Sequence, residues 1–219
     1  MIRVYILRVS SLMKEDFFDL VDALPFGEDE KRRLLATSSS RHRWESLGGL
    51  VALDRLLHKC DGDFSEHSTV ITRASSGKPY FDSPTAPYFG ISHSDGIAAA
   101  AIVDYKYGEI GFDIEVIDRK HDFSRIAKRY FTEEEKRQFA SNKESAESFY
   151  SIWTAKEAYA KIDGRGLSAL MADKAAQLMK SISLSRLSVD VGERRAVMSV
   201  CSYVAGQPVQ IYTDSEVTK

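Results

Sequence analysis

Asp113 and Glu115 stand two residues apart in the run Ile110-Gly111-Phe112-Asp113-Ile114-Glu115-Val116, and Glu157 and Lys161 stand four apart in Trp153-Thr154-Ala155-Lys156-Glu157-Ala158-Tyr159-Ala160-Lys161. The alternation of the first run predicts a β-strand, with Phe112, Ile114 and Val116 on one face and Gly111, Asp113 and Glu115 on the other. Two carboxylates ~6.6 Å apart along one face can share a cation. A D-x-E pair is also common on a solvent-facing edge strand, and the second run shifts the reading. Its apolar stripe, Phe149, Ile152 and Trp153, continues in helical register onto Lys156, Glu157 and Ala160. Glu157 and Lys161 can form an ordinary i,i+4 ion pair, yet charges on a stripe meant for packing are costly unless paired or coordinated. Three acidic residues without a Cys or His pattern favour a hard cation. Mg²⁺ typically takes a couple of carboxylates, waters and phosphate oxygens, which points to a phosphate-bearing substrate.

A second cluster comprises Gly77-Lys78-Pro79-Tyr80 and Ile91-Ser92-His93-Ser94. The Gly-Lys-Pro turn presents a cation on a stiff loop, and Ser-His-Ser after a strand offers hydroxyl and imidazole donors to an anion. Each alone is equally an ordinary turn or surface polar group. Ser92 and His93 are adjacent, so they are not read as a nucleophile and its base. No G-x-S-x-G, P-loop, G-x-G-x-x-G or metalloprotease helix is present. Thr132-Glu133-Glu134-Glu135 is a capping box, which by itself assigns Glu135 to a helix start.

The elements that must position these residues repeat. Glu28-Asp29-Glu30-Lys31-Arg32 aligns with Glu133-Glu134-Glu135-Lys136-Arg137 at a shift of 105 residues, which also sets Trp44-Glu45-Ser46-Leu47 on Phe149-Tyr150-Ser151-Ile152 and Leu7 and Val9 on Phe112 and Ile114. Agreement over a strand and two helices predicts two copies of one unit. Each copy reads as a strand, two helices (28–36 and 41–59; 133–141 and 146–162) and returning strands (68–72 and 98–103; 187–191, 196–204 and 209–212). Helices mixed with antiparallel returns give an α+β class with two similar subdomains in tandem, 1–104 and 105–219. At the same shift Asp113, Glu115 and Glu157 fall on Arg8, Ser10 and Ala52, so only the second copy carries the carboxylates.

Composition bounds the partners. The 219 residues correspond to one large domain or two small ones, and 43% hydrophobic with 28% charged residues is the balance of a globular chain. Thirty Lys and Arg against 32 Asp and Glu leave a net charge of -2, which argues against a nucleic-acid backbone or an anionic membrane as partner. Two distant cysteines, Cys60 and Cys201, form neither a disulfide framework nor a zinc site and fit a reducing cytoplasm. No run has the ~20 apolar residues of a membrane span, and the expectation is no export signal and no anchor.

Four segments, in order, resemble the 4′-phosphopantetheinyl transferase superfamily in its longer single-chain form: Gly77-Lys78-Pro79, Ile91-Ser92-His93-Ser94, Gly111-Phe112-Asp113-Ile114-Glu115 and the Trp153 to Lys161 run, with Gly164-Arg165-Gly166-Leu167-Ser168 similar to the family's closing loop. The resemblance extends from about Lys31 to Ser168 and implies an α+β pseudodimer, a monomer with its site between the halves. It further implies Mg²⁺-dependent transfer of 4′-phosphopantetheine from coenzyme A to a serine of an apo acyl or peptidyl carrier protein, with release of adenosine 3′,5′-bisphosphate. Carried over position by position, it makes Asp113, Glu115 and Glu157 the metal ligands, Lys161 a contact to the diphosphate and Glu157 a helper in deprotonating the serine. It puts Glu135 near the metal, against its capping role. Lys78 and Pro79 line the adenine end, Ser92 and His93 lie near the coenzyme phosphates, and Lys31 meets the 3′-phosphate. Where the family usually has an arginine this chain has Trp44, and Arg43 or Arg41 is expected to substitute. The competing readings are another Mg²⁺-dependent phosphoester enzyme and a noncatalytic carrier-protein-binding module.

Overall fold

The computed structural model describes residues 1–59, 69–118, 120–163 and 182–214, so Cys60, the Gly164 to Ser168 loop and the first residue of the expected 68–72 strand lie outside it. Strand β1 (Ile2–Arg8) is followed by helices α1 (Val9–Leu12), α2 (Phe17–Ala23), α3 (Glu28–Leu35) and α4 (Ser40–His58). Strands β2 (Ile71–Arg73), β3 (Pro79–Phe81), β4 (Tyr88–Ser94) and β5 (Ile97–Val103) come next, then a 3₁₀ turn at Tyr105–Tyr107 and strand β6 (Ile110–Val116). Helices α5 (Phe123–Tyr130), α6 (Glu133–Ser141) and α7 (Ala146–Asp163) lead to β7 (Ser183–Val191), β8 (Arg194–Ser202) and β9 (Val209–Thr213). The mixture is α+β, as the sequence predicts.

Two of the sheets share one wiring. In the first, β5 lies antiparallel between β1 and β4; in the other, β8 lies antiparallel between β6 and β7. In each, a strand is followed by helices and then by a hairpin whose second arm returns beside that strand. The matching of Glu28–Arg32 with Glu133–Arg137 thus falls on structurally comparable helices, α3 and α6. Strand β9 departs from the expectation that it returns within the second copy: it pairs parallel with β1 and extends the first sheet. Strand β4 carries Ser92, His93 and Ser94 within it rather than after it.

The sheets bury their facing sides against each other. Ile2, Val4 and Ile6 of β1 and Ala99 and Ala101 of β5 form one cluster with Phe112 and Ile114 of β6 and Met198 and Val200 of β8. On the outer side of the first sheet, Leu47, Leu50 and Leu53 of α4 pack on Tyr5, Leu7 and Ala100. On the outer side of the second, Ala158 and Ile162 of α7 pack with Cys201, and Phe149 and Ile152 with Val197. Burying large aliphatic side chains contributes about 1.5–3 kcal/mol each, which commits the faces of β1 and β6. Phe112, Ile114 and Val116 point to the inter-sheet core, so Gly111, Asp113 and Glu115 must point to α7.

Candidate active site

Gly111 sets how closely α7 lies on β6. A Cβ on it would stand 1.8 Å from the Ala158 carbonyl oxygen, so any side chain there pushes the helix off the strand. The start of α7 is capped by Ser145, whose hydroxyl accepts from the Ser148 amide. With helix and strand in contact, Glu157 and Lys161 fall beside Asp113 and Glu115.

The third side of the site comes from the other sheet. Strands β4 and β6 belong to different sheets yet run side by side in the same direction: Gly90 abuts Phe112, the Ser92 hydroxyl donates to Asp113 Oδ1 at 2.7 Å, and the Ser94 hydroxyl donates to Glu115 Oε2 at 2.5 Å. Lys161 Nζ donates to the same Asp113 Oδ1 at 2.6 Å and to Ser92 Oγ at 3.0 Å. Asp113 is 4% exposed, and its Oδ2 is, among the described residues, the one buried side-chain polar atom with no hydrogen-bond partner. An unpaired buried carboxylate oxygen costs on the order of 1–3 kcal/mol, more when charged, and a cation bound there would remove that cost.

Burial pushes the Glu115 carboxyl up to about 7, with Asp113 and Glu157 adding to the rise and the Ser94 hydroxyl and Lys161 opposing it. Glu157 is raised as well, first by burial and then by Asp113, against Lys161. The three carboxylates therefore sense one another electrostatically across the strand and helix. They do not, in this arrangement, close into a finished coordination shell: among the described residues no three His, Cys, Asp or Glu side chains are grouped to hold a metal ion. What fits a cation is the orphaned Oδ2 with two further carboxylates whose charge burial and mutual repulsion disfavour.

The remaining expected residues are dispersed around this centre. Because adjacent strand residues face opposite ways, His93 points away from Ser92 toward α4, with Nδ1 3.4 Å from Glu45 Oε2. Burial pushes the His93 imidazole down, the Glu45 carboxylate opposing. Lys78 Nζ donates to Glu109 Oε2 at 2.5 Å and to the Ile162 carbonyl at 3.3 Å, so the Gly-Lys-Pro turn reaches the last turn of α7. Lys78, Pro79, Tyr80, Phe81, Tyr88 and Glu109 are among the residues lining a cavity of about 590 Å³. Lys31 Nζ donates to the Asp22 carbonyl, and Arg43 donates to the Thr37 carbonyl through two nitrogens. Arg41 pairs with Glu45 and Asp95, which joins it to the His93 side of the site. Trp44 packs edge-on against Phe17.

Glu135 closes its capping box with Thr132 and also accepts from Lys156 Nζ at 2.9 and 3.0 Å. Lys156 is 2% exposed, so this ion pair ties α6 to α7 one residue before Glu157. Sequence reasoning passed over Lys156 and Glu45 as functional residues. Lys156 had a signal, its place on the apolar stripe; buried Glu45 had only its i,i+4 spacing to Arg41, because its other partners, His93 and the Gly96 amide, come to it only in the fold.

Residues 109–199 match the family model described as the 4′-phosphopantetheinyl transferase superfamily, a stretch that contains β6, α6, α7 and most of β8. The chain resembles this superfamily over that stretch. It is 31% identical over 116 residues to the 4′-phosphopantetheinyl transferase AcpT of Salmonella typhi, covering 52% of this chain and 59% of that one. It is 35% identical over 101 residues to the 4′-phosphopantetheinyl transferase HetI of a Nostoc species (44% and 42% of the two chains). It is 39% identical over 94 residues to a 4′-phosphopantetheinyl transferase of Bacillus subtilis (42% and 40%). The chain spans about half the length of these curated relatives. No helix among the described residues is long and apolar enough to cross a membrane.

Proposed function

We propose that this chain is a member of that superfamily and transfers the 4′-phosphopantetheine group of coenzyme A to a serine hydroxyl of an apo acyl or peptidyl carrier protein, releasing adenosine 3′,5′-bisphosphate. The observation that carries the reading is the meeting of Ser92, Asp113, Glu115, Glu157 and Lys161 where the edges of two sheets adjoin, with Asp113 Oδ2 left without a partner among the described residues. Asp113, Glu115 and Glu157 would hold Mg²⁺, which when bound would neutralise charge on the diphosphate as its phosphoanhydride bond to the leaving nucleotide breaks and the serine phosphoester forms.

The chain's own groups do the rest. Glu157, its carboxyl raised by burial and Asp113, accepts the serine proton directly or through a water. Lys161 contacts the diphosphate, and Ser92 supplies a hydroxyl on the same side. Glu135 acts through Lys156, holding α7 so that Glu157 faces β6. The cavity lined by Lys78 and Pro79 takes the adenine end, and Lys31, Arg43 and His93 form the basic set for the coenzyme phosphates. Lys31 and Arg43 each hold a backbone carbonyl in the free protein and have to turn from it to do so.

The division of labour runs between residues 1–104, the nucleotide side, and 105–219, the metal side, within one chain that acts as a cytoplasmic monomer. The equal wiring of the two main sheets supports this reading, with β9 crossing back to clasp the first sheet. The test is incubation with coenzyme A, Mg²⁺ and a panel of apo carrier proteins, followed by intact-mass measurement of each carrier. A gain of one phosphopantetheine group that disappears with Asp113→Ala supports the assignment. No gain on any carrier, with nucleotide released from coenzyme A all the same, would favour a Mg²⁺-dependent hydrolase of the diphosphate instead.

A further inference from the structure

Asp113 is unevenly used. Its Oδ1 accepts both from Lys161 Nζ at 2.6 Å and from the Ser92 hydroxyl at 2.7 Å, while its buried Oδ2 accepts from none of the described residues. Lys161 also acts on Glu115 and Glu157, so this one ammonium serves all three carboxylates. A carboxylate 4% exposed needs such a partner, since a buried charge without one is strongly destabilising. A divalent ion on the same carboxylate changes that need. Ammonium and dication repel at such a distance, and the arrangement that seats one weakens the seat of the other. Lys161 has somewhere to go: its side chain is 37% exposed, on a flexible stem in the last turns of α7.

Resting on the transferase reading, we propose that Lys161 is an internal counter-ion that occupies the acidic cluster of the free protein and must be drawn off by the coenzyme A diphosphate before the cluster holds a divalent cation tightly. One consequence is that metal and coenzyme bind cooperatively, each raising the other's affinity by the same factor. Another is that the cluster is guarded against metal ions while no substrate is present. The same displacement delivers Lys161 to the diphosphate.

The test is Mn²⁺ binding to the full chain, read from the electron paramagnetic resonance of the free ion in the absence of coenzyme A. Lys161→Gln, which keeps a donor toward Ser92 but loses the charge, is expected to bind Mn²⁺ about tenfold more tightly than the unaltered protein, within the range usual for coupled sites. Lys161→Arg, which keeps the charge, is expected to bind as weakly as the unaltered protein, and Asp113→Asn to lose the binding. Adding coenzyme A to the unaltered protein should tighten Mn²⁺ binding. Equal or weaker Mn²⁺ binding by Lys161→Gln, or tight binding by Lys161→Arg, overturns the counter-ion role while Asp113-dependent binding leaves the transferase reading in place. Mn²⁺ binding that Asp113→Asn does not alter would overturn both.

Discussion

Glu115 offers a direct measure of how strained the acidic cluster is without its cation. Its carboxyl is pushed up to about 7 from an ordinary 4.5, chiefly by burial and further by Asp113 and Glu157. Each pKa unit is worth 1.36 kcal/mol, so ionising Glu115 in the folded chain costs about 3 kcal/mol more than in the unfolded one. Because the folded-state value lies above the unfolded one, the two states hold equal protons below pH 4.5. As the pH rises from 4.5 to about 7 the unfolded chain ionises first, stability falls, and above 7 the loss is complete. Glu115→Gln removes that dependence and keeps an oxygen able to accept from the Ser94 hydroxyl. In urea titrations followed by circular dichroism with EDTA present, the variant should exceed the unaltered protein by less than about 1 kcal/mol at pH 5 and by about 3 kcal/mol at pH 8. It should at the same time lose the stabilisation that Mg²⁺ with coenzyme A gives by mass action. A difference that is the same at both pH values, or a variant less stable at pH 8, would refute the claim that the cluster is strained by its own charge.

Gly111→Ala places a methyl group 1.8 Å from the Ala158 carbonyl, and overpacking against backbone should cost about 3 kcal/mol in thermal or urea unfolding together with loss of transfer; full stability would mean that α7 does not rest on β6. Breaking the Glu135–Lys156 pair by Lys156→Met should cost about 3 kcal/mol, and the double variant Glu135→Gln with Lys156→Met should recover part of it, as a double-mutant cycle would show; additive losses would remove the ion pair as the link between α6 and α7. Glu157→Ala should abolish transfer and leave the metal-free melting temperature unchanged or raised, since it removes one of three mutually repelling carboxylates; a lower melting temperature with transfer retained would return the residue to a structural role. Transfer per chain should not change on dilution through the micromolar range, and a fall in step with dissociation of an oligomer would contradict a one-chain site.

The local facts of this protein follow from the sequence alone, and the meeting of distant residues does not. Alternation in Ile110 to Val116 fixes which side chains share a face, and helical spacing puts charges at the end of an apolar stripe; each depends only on backbone period, so Asp113, Glu115, Glu157 and Lys161 are legible without coordinates. The likeness of α3 to α6 is legible for the same reason. The hairpins β4–β5 and β7–β8 follow them at a different spacing, so a single shift cannot find their common wiring. The parallel pairing of β9 with β1 joins residues about two hundred apart and is carried by backbone hydrogen bonds, which have no residue signature. The same holds for the contact between β4 and β6, where edges of separate sheets adjoin because the apolar faces of both are buried against each other. That contact sets Ser92 on Asp113 and Ser94 on Glu115, and it turns His93 the other way, to Glu45. Which oxygen of Asp113 is satisfied, and which is left open, is decided only when helix, strand and opposing strand have closed around it.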